Sequence, residues 1–184
     1  ATEMLAFRWT LRGGNAQVLE NIYQQYAGRV RREALPDKAV ALTQILEDLM
    51  NEAPSDEEVR NEIASSAPKS NLLRYVLTRL EGALTGDLLR WTKQGTWTEA
   101  LAPRTPSKDS DWYAVVAPAK ASAGEKSYED FMQMWGNQTM VEFELDSAIR
   151  HTSWSKKVEG GLDYKGLKAS EMVMNQDVSK LSQW

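Results

Sequence analysis

Three short segments carry most of the side chains able to do chemistry: WTEALAP at 97–103, WGNQTMVEF at 135–143 and LDSAIRHTSWSKK at 145–157. They hold the carboxylates Glu99 and Asp146, the amide Asn137, the only imidazole of the chain, His151, and three cations suited to phosphate, Arg150, Lys156 and Lys157. With no cysteine, a thiolate nucleophile and a Cys-rich zinc site are excluded, and one histidine leaves a Ser-His-Asp triad a single candidate base. Any metal must therefore be held mainly by oxygen, which points to Mg²⁺, Mn²⁺ or Ca²⁺. Arg150 lies one helical turn beyond Asp146, on the same face and able to reach a phosphate, whereas His151 is rotated from Arg150 by about 100°.

The elements that must position these residues are legible in the apolar pattern. From Asn15 to about Gly86 apolar residues recur at helical spacing, as in Leu42, Ile45, Leu46 and Leu49, or Leu72, Leu73, Val76, Leu77 and Leu80. Pro36, Pro54 and Pro68 break the runs, and Ser55 before Asp56, Glu57 and Glu58 suits a helix start. Four helices are expected, near 15–34, 37–52, 55–66 and 69–84. After Gly86 periodicity weakens and tryptophans appear at 91, 97, 112, 135, 154 and 184, most simply as core. Residues 104–127 have the texture of a long loop, in which the alternative to core for Trp112, with Tyr113, is stacking on a base. A short helix from Tyr128 to Trp135, a strand at 139–143 and a helix from about Asp146 to Lys157 follow. The expected fold is mainly α with a small β component: a helical bundle over 1–86, then a strand, long loop, strand and helix over 87–184, the layout of a ββα-metal nuclease motif.

These segments resemble the C-terminal HNH-type nuclease domain of GmrSD-like, modification-dependent restriction and anti-phage defence proteins. That pattern, roughly E-H-x-x-P, G-N-L-T-L and L-N-S-x-I followed by a lysine, is met here by E-A-L-A-P, G-N-Q-T-M and L-D-S-A-I with Lys156 and Lys157. The run LLRYVLTRLEGAL at 72–84 is similar to the helix before the nuclease strand, so the likeness covers most of 70–184. It implies Mg²⁺ (or Mn²⁺) on Glu99 and on Asp146, which lies nine residues after Asn137. It also implies a general-base histidine at position 100, Asn137 orienting that base, and Arg150 with Lys156 or Lys157 on DNA phosphate. His151 stays open between a metal ligand, a DNA contact and the third letter of the motif.

The chain departs from the pattern at two places. Ala100 stands where the histidine is required, and alanine cannot take a proton from water. Glu99 does not replace it, because strand alternation turns adjacent side chains to opposite faces. Ala100 thus reads as a removed base, the form a deliberate His→Ala change takes, and the chain as written is expected to be inactive while its parent is an endonuclease. At Asp146 the pattern has asparagine, and aspartate is the better ligand for a hard cation. Each residue alone has a plainer explanation: Asn137 in a turn, Asp146 as a helix N-cap, Lys156 and Lys157 at a helix C-terminus.

The implied partners are double-stranded DNA and an N-terminal nucleotide-hydrolysing sensor domain, since no nucleotide motif occurs and the chain begins abruptly at Ala1. Residues 1–90 and 91–184 each hold 11 basic and 13 acidic residues, so a DNA surface must be a local patch. No stretch approaches the about 20 apolar residues of a membrane span, and no signal-peptide order occurs, so a cytoplasmic protein without a membrane partner is expected. The rival reading is a non-catalytic module that positions DNA or docks a protein.

Overall fold

A computed structural model describes residues 1–33, 38–87, 95–103, 106, 108, 110–114, 128–150 and 152–181, apart from the side chains of residues 33, 38, 128, 129, 131 and 146–148. The chain is mainly helical with one small antiparallel sheet, and it divides into two compact units, Ala1–Ser65 and Ser66–Trp184. Among the described residues no helix is long and apolar enough to cross a membrane.

The first unit holds four helices: α1 (Thr2–Leu11), α2 (Ala16–Glu33), α3 (Lys38–Asn51) and α4 (Asp56–Ser65). The sequence pattern gives no warning of α1, whose Leu5 packs fully buried with Tyr26, Ile45 and Leu49. Helix α4 buries none of its residues and is tied to α1 by ion pairs, Arg8 to Asp56 and Arg12 to Glu58. It starts at a reciprocal cap: Glu58 N–H donates to Ser55 Oγ at 3.2 Å, and Ser55 N–H donates to the Glu58 carboxylate at 2.8 Å.

The second unit is built on a two-stranded sheet, β1 (Thr96–Ala100) against β2 (Gln138–Glu142), with Thr96 opposite Glu142 and Ala100 opposite Gln138. Strand alternation sends Met140 and Val141 to opposite faces. Met140 packs with Leu73, Leu77, Met172 and Met174, and Val141 with Leu101, Leu145, Ile149 and Leu167. One face thus receives α5 (Ser70–Thr85), whose Leu73 and Leu77 lie one turn apart, and the other receives α7 (Phe143–Ile149), whose Leu145 and Ile149 do the same. Helix α6 (Tyr128–Gln133) leads through a 3₁₀ turn at Trp135–Asn137 into β2. The chain then continues through α8 (Trp154–Glu159), a 3₁₀ turn at Leu167–Ala169 and α9 (Val173–Val178).

Three features differ from the sequence-based expectation, and a fourth decides between two readings. Helix α5, which periodicity groups with the bundle, packs against both strands, so the division falls at Ser65–Ser66 and not near residue 86. The single helix expected over 146–157 is two, because Thr152 Oγ1 returns to Ile149 O at 3.0 Å and Ser153 caps a new helix by accepting from Lys156 N–H. Helix α7 begins at Phe143 behind Glu142, so Asp146 lies inside it and is not its N-cap. Trp112 is buried against Trp154 and donates from Nε1 to Thr152 O at 2.7 Å, so it is core and not a base-stacking group; Tyr113 beside it is exposed.

The C-terminal segment is fastened by buried polar groups. The fully buried Glu81 carboxylate of α5 accepts from Val173 N–H at 2.6 Å and Met174 N–H at 3.0 Å, satisfying donors in the first turn of α9. Asn175 donates to Met140 O and accepts from Thr139 Oγ1. A buried donor left unpaired costs about 1–3 kcal/mol, so Glu81→Ala is expected to lower the unfolding free energy by about 2 kcal/mol or more in urea titrations.

In the first unit, the hydrogen bond from Arg29, then that from Gln44, holds the Asp48 carboxyl below its usual range. Those from the Ser55 backbone and hydroxyl do the same for Glu58. Both groups are more acidic folded than unfolded, so the stability they add is present above the ordinary carboxyl pKa and is lost as pH falls through the lowered folded values. The hydrogen-exchange protection factors of α2–α4, which already remove the intrinsic pH dependence of exchange, should therefore fall on acidification through that window, less so in an Asp48→Asn, Glu58→Gln variant.

Candidate active site at the end of strand β1

Glu99 is the fourth residue of β1 and lies opposite Thr139, on the face covered by α7. The residue is 8% exposed, and its carboxylate meets two cations. Lys157 Nζ stands 3.4 Å from Oε1, and Arg150 Nε stands 3.9 Å from Oε2. Arg150, at the end of α7, is half exposed, whereas the Lys157 side chain is 1% exposed. Lys157 also donates from Nζ to Ala100 O at 2.7 Å, so one ammonium bridges the carboxylate of residue 99 and the main chain of residue 100.

Ala100 closes β1, and Asn137 fixes the chain just after it. Asn137 Oδ1 accepts from Ala102 N–H at 2.7 Å, while Nδ2 donates to Ala102 O at 3.0 Å and Met132 O at 2.9 Å. Its own carbonyl accepts from Leu101 N–H at 2.8 Å. The amide is thus engaged with main chain on both sides of this turn. Gly136 sits exposed in the 3₁₀ turn before it.

The residues singled out in the sequence are thus partly brought together. Glu99, Ala100, Arg150 and Lys157 converge, with Asn137 bracing the turn beside them. Lys156 is exposed on α8. Lys157, expected on DNA phosphate, is instead inside the protein, since Ser153 starts α8 in a phase that turns Lys157 inward beside Val158. Asp146 occupies α7 one turn before Arg150; its side chain, and the whole of His151, lie outside the described residues.

Among the described residues no three His, Cys, Asp or Glu side chains converge. Mg²⁺ usually takes only one or two protein carboxylates and completes its shell with water and phosphate oxygens; of the two carboxylates expected to hold it, Glu99 is described and meets two cations, and the Asp146 side chain lies outside the described residues. A cleft of about 480 Å³ lies at the opposite end of the two-stranded sheet, lined by Gly95, Glu142, Phe143, Asp163, Tyr164 and Glu171 among others. Its acidic lining does not suit phosphate.

Two aspects of the site were not foreseen. The pattern Trp154, Lys157, Val158 places the lysine on the inward face at i, i+3, i+4 spacing, and that signal was available. The role of Met132 O as an anchor for Asn137 had no sequence signal, because a main-chain acceptor carries no residue identity. Asn137→Ala would leave Ala102 N–H and two carbonyls without this partner. At about 1–3 kcal/mol per buried group, a loss of about 3 kcal/mol is expected in urea unfolding. No protein-family model, curated protein or solved structure matches this chain.

Proposed function

We propose that the second unit is an HNH-type, metal-dependent DNA endonuclease domain, of the kind found in bacterial restriction and anti-phage defence proteins, with its general base absent at Ala100. The observation that carries the reading is the order β1, β2, α7 with Glu99 and Ala100 at the end of β1, Asn137 locked at the start of β2, and Arg150 reaching the same carboxylate from α7.

In this reading Glu99 and Asp146 would hold Mg²⁺ or Mn²⁺, which when bound would supply Lewis-acid polarisation of the phosphate and stabilisation of the leaving 3′-oxygen. Residue 100, as histidine, accepts a proton from the attacking water. Alanine has no basic atom, and loss of a general base costs about 10²–10⁴-fold in rate. Asn137 fixes the backbone from which the base projects. Arg150 and the exposed Lys156 contact phosphate oxygens, and Lys157 does not. Double-stranded DNA is the substrate, and a nucleotide-hydrolysing sensor domain in the same protein is the natural regulatory partner. The second reading, a non-catalytic DNA-positioning or docking module, is favoured by Ala100 itself.

The test is plasmid nicking in Mg²⁺ or Mn²⁺ by Ala100→His. Activity that appears with Ala100→His and is lost again in Ala100→His, Glu99→Ala supports the endonuclease. A folded Ala100→His protein that leaves DNA intact supports the docking module.

A further inference from the structure

The buried lysine beneath the site has a role that neither phosphate binding nor packing explains. Lys157 is fully buried, on a helix whose next residue, Val158, is also buried. An ammonium inside a protein is expensive to desolvate, and replacing a buried ion pair by apolar residues of similar volume is often neutral or stabilising. Stability alone would therefore accept an apolar pair in place of Lys157 and Glu99 together, whereas changing Lys157 alone takes a partner from the buried Glu99 carboxylate. What an apolar residue does not reproduce is the pair of contacts that Nζ makes: 2.7 Å to the carbonyl of Ala100 and 3.4 Å to Oε1 of Glu99. These are adjacent residues whose side chains leave the strand on opposite faces, and the ammonium links the main chain of one to the carboxylate of the other.

We infer that Lys157 is a positioning residue that acts through Glu99 and the residue-100 carbonyl, holding the ligand carboxylate in register with the backbone that carries the base. The inference rests on the nuclease reading above. Outer partners of this type orient a ligand, and their loss typically weakens metal binding or activity by about 10–100-fold. The chain uses the remaining cations differently: Arg150 is half exposed and meets the other carboxylate oxygen, and Lys156 faces solvent.

The experiment titrates Mn²⁺ into the Ala100 chain by calorimetry, which needs no turnover, alongside thermal unfolding. Lys157→Met is expected to unfold cooperatively and to bind Mn²⁺ about 10–100-fold more weakly. Added to Glu99→Gln, it should weaken binding no further, because both changes act on one group. A lysine that merely packs would shift Tm in both backgrounds and leave Mn²⁺ affinity within about twofold of the parent; that result overturns the inference and leaves the nuclease reading standing. If Lys157→Met does not fold, Lys157→Gln, an uncharged donor, is judged by the same two outcomes. Failure of the nuclease reading itself looks different: the parent chain takes up no Mn²⁺ and Glu99→Gln changes nothing, and the inference falls with it.

Discussion

An ammonium group removed from water has to be compensated where it lies, and in the second unit that requirement falls on Lys157. Its partners are the Glu99 carboxylate and the Ala100 carbonyl, so α8 is registered against the last two residues of β1. That registration requires a helix starting at Ser153. The Ser153 cap and the Thr152 side chain break the preceding helix, and Arg150 is left at its end, within reach of the same carboxylate. The carboxylate of Glu99, a residue 8% exposed, thus ties together three elements, β1, α7 and α8. A change at Glu99 leaves a buried cation behind, which is the costlier half of any broken buried pair.

The hairpin that carries Glu99 is held from both faces. Met140 and Val141 belong to different clusters, so β2 is buried on both sides, as its fully buried Thr139–Val141 stretch reflects. Two strands alone are marginal in water, and here α5, α7 and the C-terminal segment supply the missing cover. Polar ties set the geometry of that cover: Glu81 fixes the start of α9, Asn175 joins Thr139 and Met140, and Glu142 accepts from Ser170 Oγ and Glu171 N–H. The two ends of the hairpin consequently differ in character. One carries a carboxylate ringed by cations, and the other opens into an acid-lined cleft.

Much of this is written in local sequence. The α2–α5 periodicities, the Ser55–Glu58 cap and the two strands follow from spacing and capping chemistry. Three things do not. Helix α1 is short, and its burial rests on Leu5 meeting residues far along the chain, which no window of sequence contains. The split at Ser153 depends on side chains competing with the helical backbone, a balance that periodicity does not weigh. Residue types singled out Glu99 and Arg150, whose side chains do meet, but the same logic put Lys157 on phosphate, because a lysine is exposed by default and its burial here depends on the Glu99 carboxylate and the Ala100 carbonyl. Trp112 illustrates the converse, an aromatic in an apparent loop that is core because Thr152 O satisfies its N–H.

The proposed endonuclease requires a metal at Glu99 and Asp146, at one end of the two-stranded sheet. The most direct measurement is Mn²⁺ added to the ¹⁵N-labelled chain, with paramagnetic broadening followed for each amide. Broadening centred on residues 98–101 and on α7 around 145–147 is the predicted result. Broadening centred instead on the acidic cleft, at Glu142, Asp163 and Glu171, or spread without a centre, would contradict it.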